Sequence, residues 1–270
     1  MNLKPLALPF VILTAVALCA CQTTPHAPAV KVFILGGQSN MDGCGKADEV
    51  PEAYRVPPAN AKTWDNALKT WVPLGTDSFA AKRRFQFGPE LAFTHEMANA
   101  FPNATIAIVK TSAGGTKLWK HWLPGQPMNT RFFANVENAL GQLRESGTGY
   151  EICGLLWMQG ESDAEELEKA QAYEENLETF FADVRARTGQ PALPIVMGRI
   201  SSSLLKETPW CFDHAKTVQQ AQETVAAQDP HVFIIGTDHL ETLKDNTHFN
   251  GPSQIWLGTE MGKTMLKEIN

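Results

Sequence analysis

Gln38-Ser39-Asn40-Met41 follows an apolar run, Val32-Phe33-Ile34-Leu35, and two glycines, Gly36 and Gly37. A strand ending in Gly-Gly lets the backbone turn sharply and leaves a serine hydroxyl at its carboxyl end. That is a place for a nucleophile. An unassisted hydroxyl barely ionises at neutral pH, so it needs a hydrogen-bonded base. Late in the chain His248 offers one, with Asp245 three residues before it. In a tight turn that spacing brings a carboxylate to the imidazole Nδ1–H, which fixes the tautomer and stabilises the imidazolium formed when histidine takes the serine proton. Asp238 and His239 compete for these roles. They are adjacent, so their side chains diverge in extended backbone, which favours a structural or rim position. His121 and His214 have no acidic residue at a useful spacing. Acyl transfer also needs donors aimed at the developing oxyanion, and the Ser39 backbone N–H is one.

These residues must be brought together by the elements between them. Five near-continuous apolar runs, at 31–35, 105–109, 152–158, 194–200 and 232–235, read as strands buried on both faces. Helical patterns at 89–100, 131–144, 165–187, 213–228 and 253–269 alternate with them. The first opens with Pro89 after Gly88, a helix-start signal. Alternation predicts a three-layer α/β/α sandwich around a five-stranded, mostly parallel, flavodoxin-like sheet. Ligands of such sheets sit beyond the carboxyl ends of the strands. There stand Ser39, then Ala113-Gly114-Gly115-Thr116, then Gln159-Gly160-Glu161-Ser162-Asp163, and finally the segment from Asp238 to His248. Residues 42–87, with Pro51, Pro57, Pro58 and Pro73, read as a long irregular excursion near the site.

Composition bounds the function. The chain has 270 residues, 43% hydrophobic, enough for one sizeable core. A net charge of −6 speaks against a nucleic-acid partner. The Lys82-Arg83-Arg84 run is short and reads as a solvated face. Residues 6–18 form an almost unbroken apolar stretch after Lys4, short of the roughly 20 residues of a membrane span, and read as the core of a signal peptide over 1–20. Leu18-Cys19-Ala20-Cys21 resembles the bacterial lipoprotein cleavage pattern. That resemblance implies lipidation of Cys21, a tether over 21–30, a folded domain over 31–270 and, with Gln22 following, an outer-membrane location in the cell envelope. Cys153 lies in an apolar run and reads as a small buried hydrophobe. Cys44 and Cys211 are left either bridged or as two thiols. No Cys/His spacing suggests a metal, and no cofactor is expected.

Five blocks, in order, carry a resemblance to a known family. They are Gly37-Gln38-Ser39-Asn40-Met41, Gly88-Pro89-Glu90, Gly114-Gly115-Thr116, the run from Trp157 through Gln159-Gly160-Glu161 to Asp163, and Asp245-x-x-His248. The set resembles the SGNH (GDSL-like) hydrolase superfamily, and within it the sialate O-acetylesterase and acetylxylan esterase group, carbohydrate esterase family six. The Gly-x-Ser-x-Gly elbow of ordinary α/β-hydrolases is absent, since Met41 stands at its last glycine. The resemblance implies a metal-independent serine esterase that deacetylates carbohydrate through Ser39, His248 and Asp245. It also implies an oxyanion hole of the Ser39 N–H, an N–H of the Gly114-Gly115 loop, and the Gln159 side-chain amide. Glu161, Ser162 and Asp163 are expected to hold the Gln159 loop or cap the next helix. Trp119, Trp122 and Trp210 are candidates either for sugar stacking or for core packing, and Lys117 or the 82–84 run for pairing with a sugar carboxylate. The rival readings are a lipid esterase or thioesterase on the same fold and a non-catalytic, carbohydrate-binding surface lipoprotein. Oligomeric state is not legible.

Overall fold

The protein is described by a computed structural model over residues 30–75 and 86–269. The signal-peptide, tether and Cys21 expectations, and the 82–84 run, lie outside these residues. A seven-stranded sheet runs through the domain in the order β4-β3-β6-β1-β7-β8-β9. Its five central strands are those expected: β1 (Val30–Gly37), β6 (Thr105–Ser112), β7 (Tyr150–Met158), β8 (Ile195–Gly198) and β9 (Val232–Ile235). All pair in parallel, and β1 lies between β6 and β7. The first strand therefore sits inside the second and third, the flavodoxin-like order, and the sheet's switch point falls at β1.

The expected count of five is corrected to seven. Two strands come from the stretch read as irregular: β3 (Ala61–Asp65), parallel to β6, and β4 (Thr70–Pro73), antiparallel to β3. The same stretch holds two two-residue strands, β2 (Gly45–Lys46) and β5 (Gln86–Phe87), paired with each other.

Helices cover both faces. α3 (Glu90–Ala100) packs on α8 (Gly251–Ile269) against one face, where Phe33 meets Phe93 at 5.1 Å between ring centroids. α4 (Pro127–Glu145), α6 (Tyr173–Thr188) and α7 (Ala215–Gln228) cover the other. α4 starts earlier than its apolar periodicity suggested, because Pro127 takes the first helical position, where its missing N–H costs nothing. The helix expected over 165–187 is divided. A 3₁₀ turn at Glu161–Glu165 and a short α5 (Leu167–Gln171) precede α6, and Glu166 between them is extended. A cluster of Trp122, Phe132, Trp157, Phe180 and Phe181 fills the space between the sheet and α4 and α6 in largely edge-to-face contacts, an arrangement that adds to plain area burial.

Candidate active site

β1 ends at Gly37, and no other residue fits there. Its φ is +151°, and a Cβ would lie 2.0 Å from the Met158 carbonyl oxygen of the neighbouring strand. The chain then turns into a single helical turn, α1 (Ser39–Asp42), closed by Met41 and Asp42 N–H groups donating to the Gln38 carbonyl. Ser39 heads that turn at the switch point and is 5% exposed.

Ser39 and His248 line one cavity of about 470 Å³, together with Ser112 to Gly115 from the end of β6, Ser162 and Glu165 from the turn after β7, Arg131, Trp210 and Phe212. His248 presents Nδ1 to Asp245 Oδ2 at 2.7 Å. The other Asp245 oxygen accepts the backbone N–H groups of Thr247 and His248, each at 3.0 Å. Burial opposes ionisation of Asp245, but these bonds from His248 and Thr247 outweigh it and hold the carboxyl below the usual range. The residue is therefore a carboxylate orienting a histidine, the arrangement that a serine nucleophile requires.

The Gly114 loop stands against Ser39: a Cβ on Gly114 would meet Ser39 Cβ at 3.5 Å. The Ala113 N–H is occupied by the Gly37 carbonyl, so the next N–H available to the cavity is that of Gly114. Gly115 also lines the cavity, at a φ of +71°.

Gln159 is a correction. It is fully buried and does not line the cavity. Its amide nitrogen is surrounded by acceptors, Asp163 Oδ2 at 2.6 Å, the Thr116 carbonyl at 3.0 Å and Gln38 Oε1 at 3.1 Å. Its oxygen accepts from the Tyr173 hydroxyl at 3.0 Å. An amide with both protons so engaged has none left for an oxyanion. Gln159 instead braces the loops behind Ser39, and Asp163 helps it: its carboxyl accepts the Leu118 N–H as well, and burial pushes it up to about 6.

The competing histidines are elsewhere. His239 stacks edge-on against Trp256 at 4.2 Å, and Asp238 binds Arg199 and the Ser202 N–H. The His121 ring accepts the Lys117 N–H at 2.8 Å, and His214 precedes α7. Lys117 itself is held by Glu165 at 2.8 Å and Glu166 at 3.2 Å. Of the three tryptophans, Trp122 is core and Trp119 lies under the Lys169 ammonium. Only Trp210 reaches the cavity, with its ring edge-to-face on His248 at 5.4 Å. Cys153 is buried, which pushes its thiol up to about 12, and Cys211 is a free thiol donating to Asp213, so no bridge joins it to Cys44.

Two amides escaped the sequence reading. Gln38 Oε1 accepts from Gln159, from the Gly160 N–H at 3.3 Å and from the Ser162 N–H at 3.4 Å. Asn40 donates to Glu161 Oε1 at 2.7 Å and to the Thr247 carbonyl at 3.0 Å, and accepts the Phe249 N–H at 3.0 Å. Below α1, a buried ion pair joins Lys110 Nζ to Glu90 Oε2 at 2.6 Å, and the same ammonium donates to the Asp42 carbonyl at 2.9 Å. Arg131, another cavity residue without a sequence signal, has no ion-pair partner among the described residues.

Known proteins share the sequence pattern and the fold. The family model described as "Carbohydrate esterase, sialic acid-specific acetylesterase" matches residues 29–267. A "Probable carbohydrate esterase" of Arabidopsis thaliana is 27% identical over 261 residues, 90% of this chain and 92% of that relative. Among solved structures, an Arabidopsis thaliana protein superposes with a TM-score of 0.75 at 24% identity, covering 90% of this chain and 100% of that one. NanS gives 0.67 at 15% identity over 90% and 98% of the two chains. A carbohydrate acetylesterase from Xanthomonas citri gives 0.62 at 17% identity over 88% of this chain and 56% of that one.

Proposed function

Because the chain belongs to the carbohydrate esterase family described as sialic acid-specific acetylesterases, we propose that its cavity removes O-acetyl groups from carbohydrate, with Ser39 as nucleophile, His248 as base and Asp245 as the group that orients it. The Asp245–His248 pair at the mouth of the Ser39 cavity carries this reading. Ser39 Oγ attacks the acetyl carbonyl while His248 Nε2 takes the hydroxyl proton. The N–H groups of Ser39 and Gly114 receive the negative charge, each donor contributing about 3 kcal/mol in the transition state. His248 then returns the proton to the departing sugar oxygen, leaving an acetyl ester on Ser39. Water, deprotonated by the same histidine, attacks that ester and releases acetate.

The Trp210 face supplies an apolar platform for a sugar ring, and the Arg131 guanidinium supplies a cation in the same cavity. Lys117, held by two glutamates, does not serve that purpose. An acidic acetylated sugar such as sialic acid fits this lining. Acetate release from a panel of acetylated sialic acids, xylan and peptidoglycan, wild type against Ser39→Ala, tests both levels. Ser39→Ala should lower kcat by about 10⁶-fold, as loss of a triad serine does elsewhere. Retained activity would refute the assignment of Ser39, and equal rates on charged and neutral sugars would refute the acidic preference.

The 18–21 pattern supports a further proposal, that Cys21 carries a lipid anchor and the domain works at the bacterial envelope. Cys21→Ser should then leave the precursor unprocessed; normal processing would overturn it.

A further inference from the structure

One carboxyl on the wall of the Ser39 cavity takes no part in the triad. Asp42 closes the helical turn that Ser39 opens, so the two stand three residues apart on one face of α1, with Cβ atoms about 5–6 Å apart in helical geometry. Asp42 is half-buried and lines the cavity. Its Oδ1 accepts the Ser112 hydroxyl at 2.8 Å, and Ser112, half-buried at the end of β6, lines the same cavity. We propose that Asp42 and Ser112 form a specificity subsite that accepts hydrogen bonds from free hydroxyl groups of the sugar beside the acetyl ester. This rests on the esterase reading of Ser39 and His248.

The chemistry of the pair is one-sided. A hydroxyl bonded to a carboxylate commits its proton there, so both side chains offer lone pairs to the cavity. The other Asp42 oxygen has no hydrogen-bond partner among the described residues. Of the two acidic side chains on the cavity wall, Glu165 is held by Lys117 at 2.8 Å. No lysine or arginine pairs with the Asp42 carboxylate among the described residues. Sugar hydroxyls are the donors that such a wall lacks, and a hydroxyl bonds more strongly to a carboxylate than to a neutral acceptor.

The fold does not need this carboxylate to hold α1. The turn is closed by backbone bonds, from the Met41 and Asp42 N–H groups to the Gln38 carbonyl and from the Gly43 N–H to the Ser39 carbonyl. Met41 is fully buried, and Lys110 ties the turn to β6 through the Asp42 backbone carbonyl at 2.9 Å. A carboxylate this close to Ser39 also opposes the negative charge that forms on the substrate oxygen. Binding of the sugar by the same carboxylate offsets that cost.

The test compares two acetyl esters on the full chain. One is a mono-O-acetylated methyl xylopyranoside, which is neutral and keeps its other hydroxyls; the second is cyclohexyl acetate, a ring of the same size with none. The wild type should favour the xyloside in kcat/KM by about 10- to 100-fold, the scale of one hydrogen bond to a charged group. Asp42→Ala should remove most of that preference, mainly through KM. Ser112→Ala should reduce it by about two- to tenfold, the scale of a neutral hydrogen bond, and keeps the proposal testable if Asp42→Ala fails to fold. Equal kcat/KM for the two esters in the wild type would overturn the proposal. So would equal losses on both esters in either variant, the mark of a damaged turn or acetyl pocket, or a preference that survives in Asp42→Ala. Absence of wild-type activity on both esters would instead refute the esterase reading itself.

Discussion

The loop before α8 brings a carboxyl to His248 and the turn after β7 brings one to Asn40, and the two are in opposite condition. Asp245 is partly open to solvent and accepts three N–H groups; it is held as an anion. Glu161 is sealed from solvent, takes the Asn40 amide on one oxygen and has no hydrogen-bond partner on the other; burial raises its carboxyl above the usual range. A third carboxyl extends the comparison. Glu90 is as buried as Glu161 but is matched by the Lys110 ammonium and the Gly88 N–H. The three carboxyls differ chiefly in how many donors reach them, and those donors are what favour a charged carboxylate against burial.

The sharpest way to break that contrast is at Asp245. Asp245→Asn should lower kcat by about 10⁴-fold, because the wrong imidazole tautomer is then favoured. Unchanged kcat would show that Asp245 does not orient His248. Asp245 should also leave a mark on stability. Its folded value is depressed, so its contribution is complete above the ordinary carboxylate range and is lost as pH falls through that depressed value. Urea midpoints below that range should therefore fall less steeply in Asp245→Asn than in the wild type.

Lys110→Met sharpens the other side, turning Glu90 into a buried carboxyl without its cation. A loss of about 3–5 kcal/mol on denaturant unfolding is expected, the usual result of breaking one partner of a buried pair. A loss below about 1 kcal/mol, the ordinary scale of a surface ion pair, would show that Lys110 is not needed to hold that charge. Trp210→Ala should have a smaller effect, raising KM about fivefold for a glycan through loss of roughly 1 kcal/mol of ring contact, with little change for a small acetyl ester. His239→Ala should do least. It lies against Trp256 away from the cavity, so kcat stays at the wild-type value and stability within about 0.5 kcal/mol; a large drop in kcat would return His239 to the list of bases.

The parts of this site that were legible in the sequence are those with a chemical type or a period. Strands buried on both faces leave unbroken apolar runs, so β1, β6, β7, β8 and β9 could be placed, and with them Ser39 and the Gly114 loop. β3 and β4 escaped because they are short: β4, at the sheet's edge, is partly exposed and ends in Pro73, and β3 beside it alternates buried and half-buried residues without an apolar run. Asp245 and His248 were readable because three residues of separation already constrain a turn. Gln159 misled: the resemblance implied a donor to the oxyanion, but Asp163, four residues on, folds back through the 3₁₀ turn and takes the amide. Gln38 and Asn40 stood in the opening motif, but their bracing role could not be read there, since amides carry no titration, no period and no metal preference. Their partners lie more than 120 residues away in sequence.

The bonds of Asn40 have a consequence for how the protein comes into being. They tie position 40 to position 161 and to positions 247 and 249, so this part of the site closes only when segments 121 to 209 residues apart meet. Such distant closures are late and slow in folding. A chain emerging from its amino end, at roughly 5–20 residues per second, presents Ser39 long before His248 exists to meet it. An esterase tied together in this way cannot assemble its site piecemeal from one end.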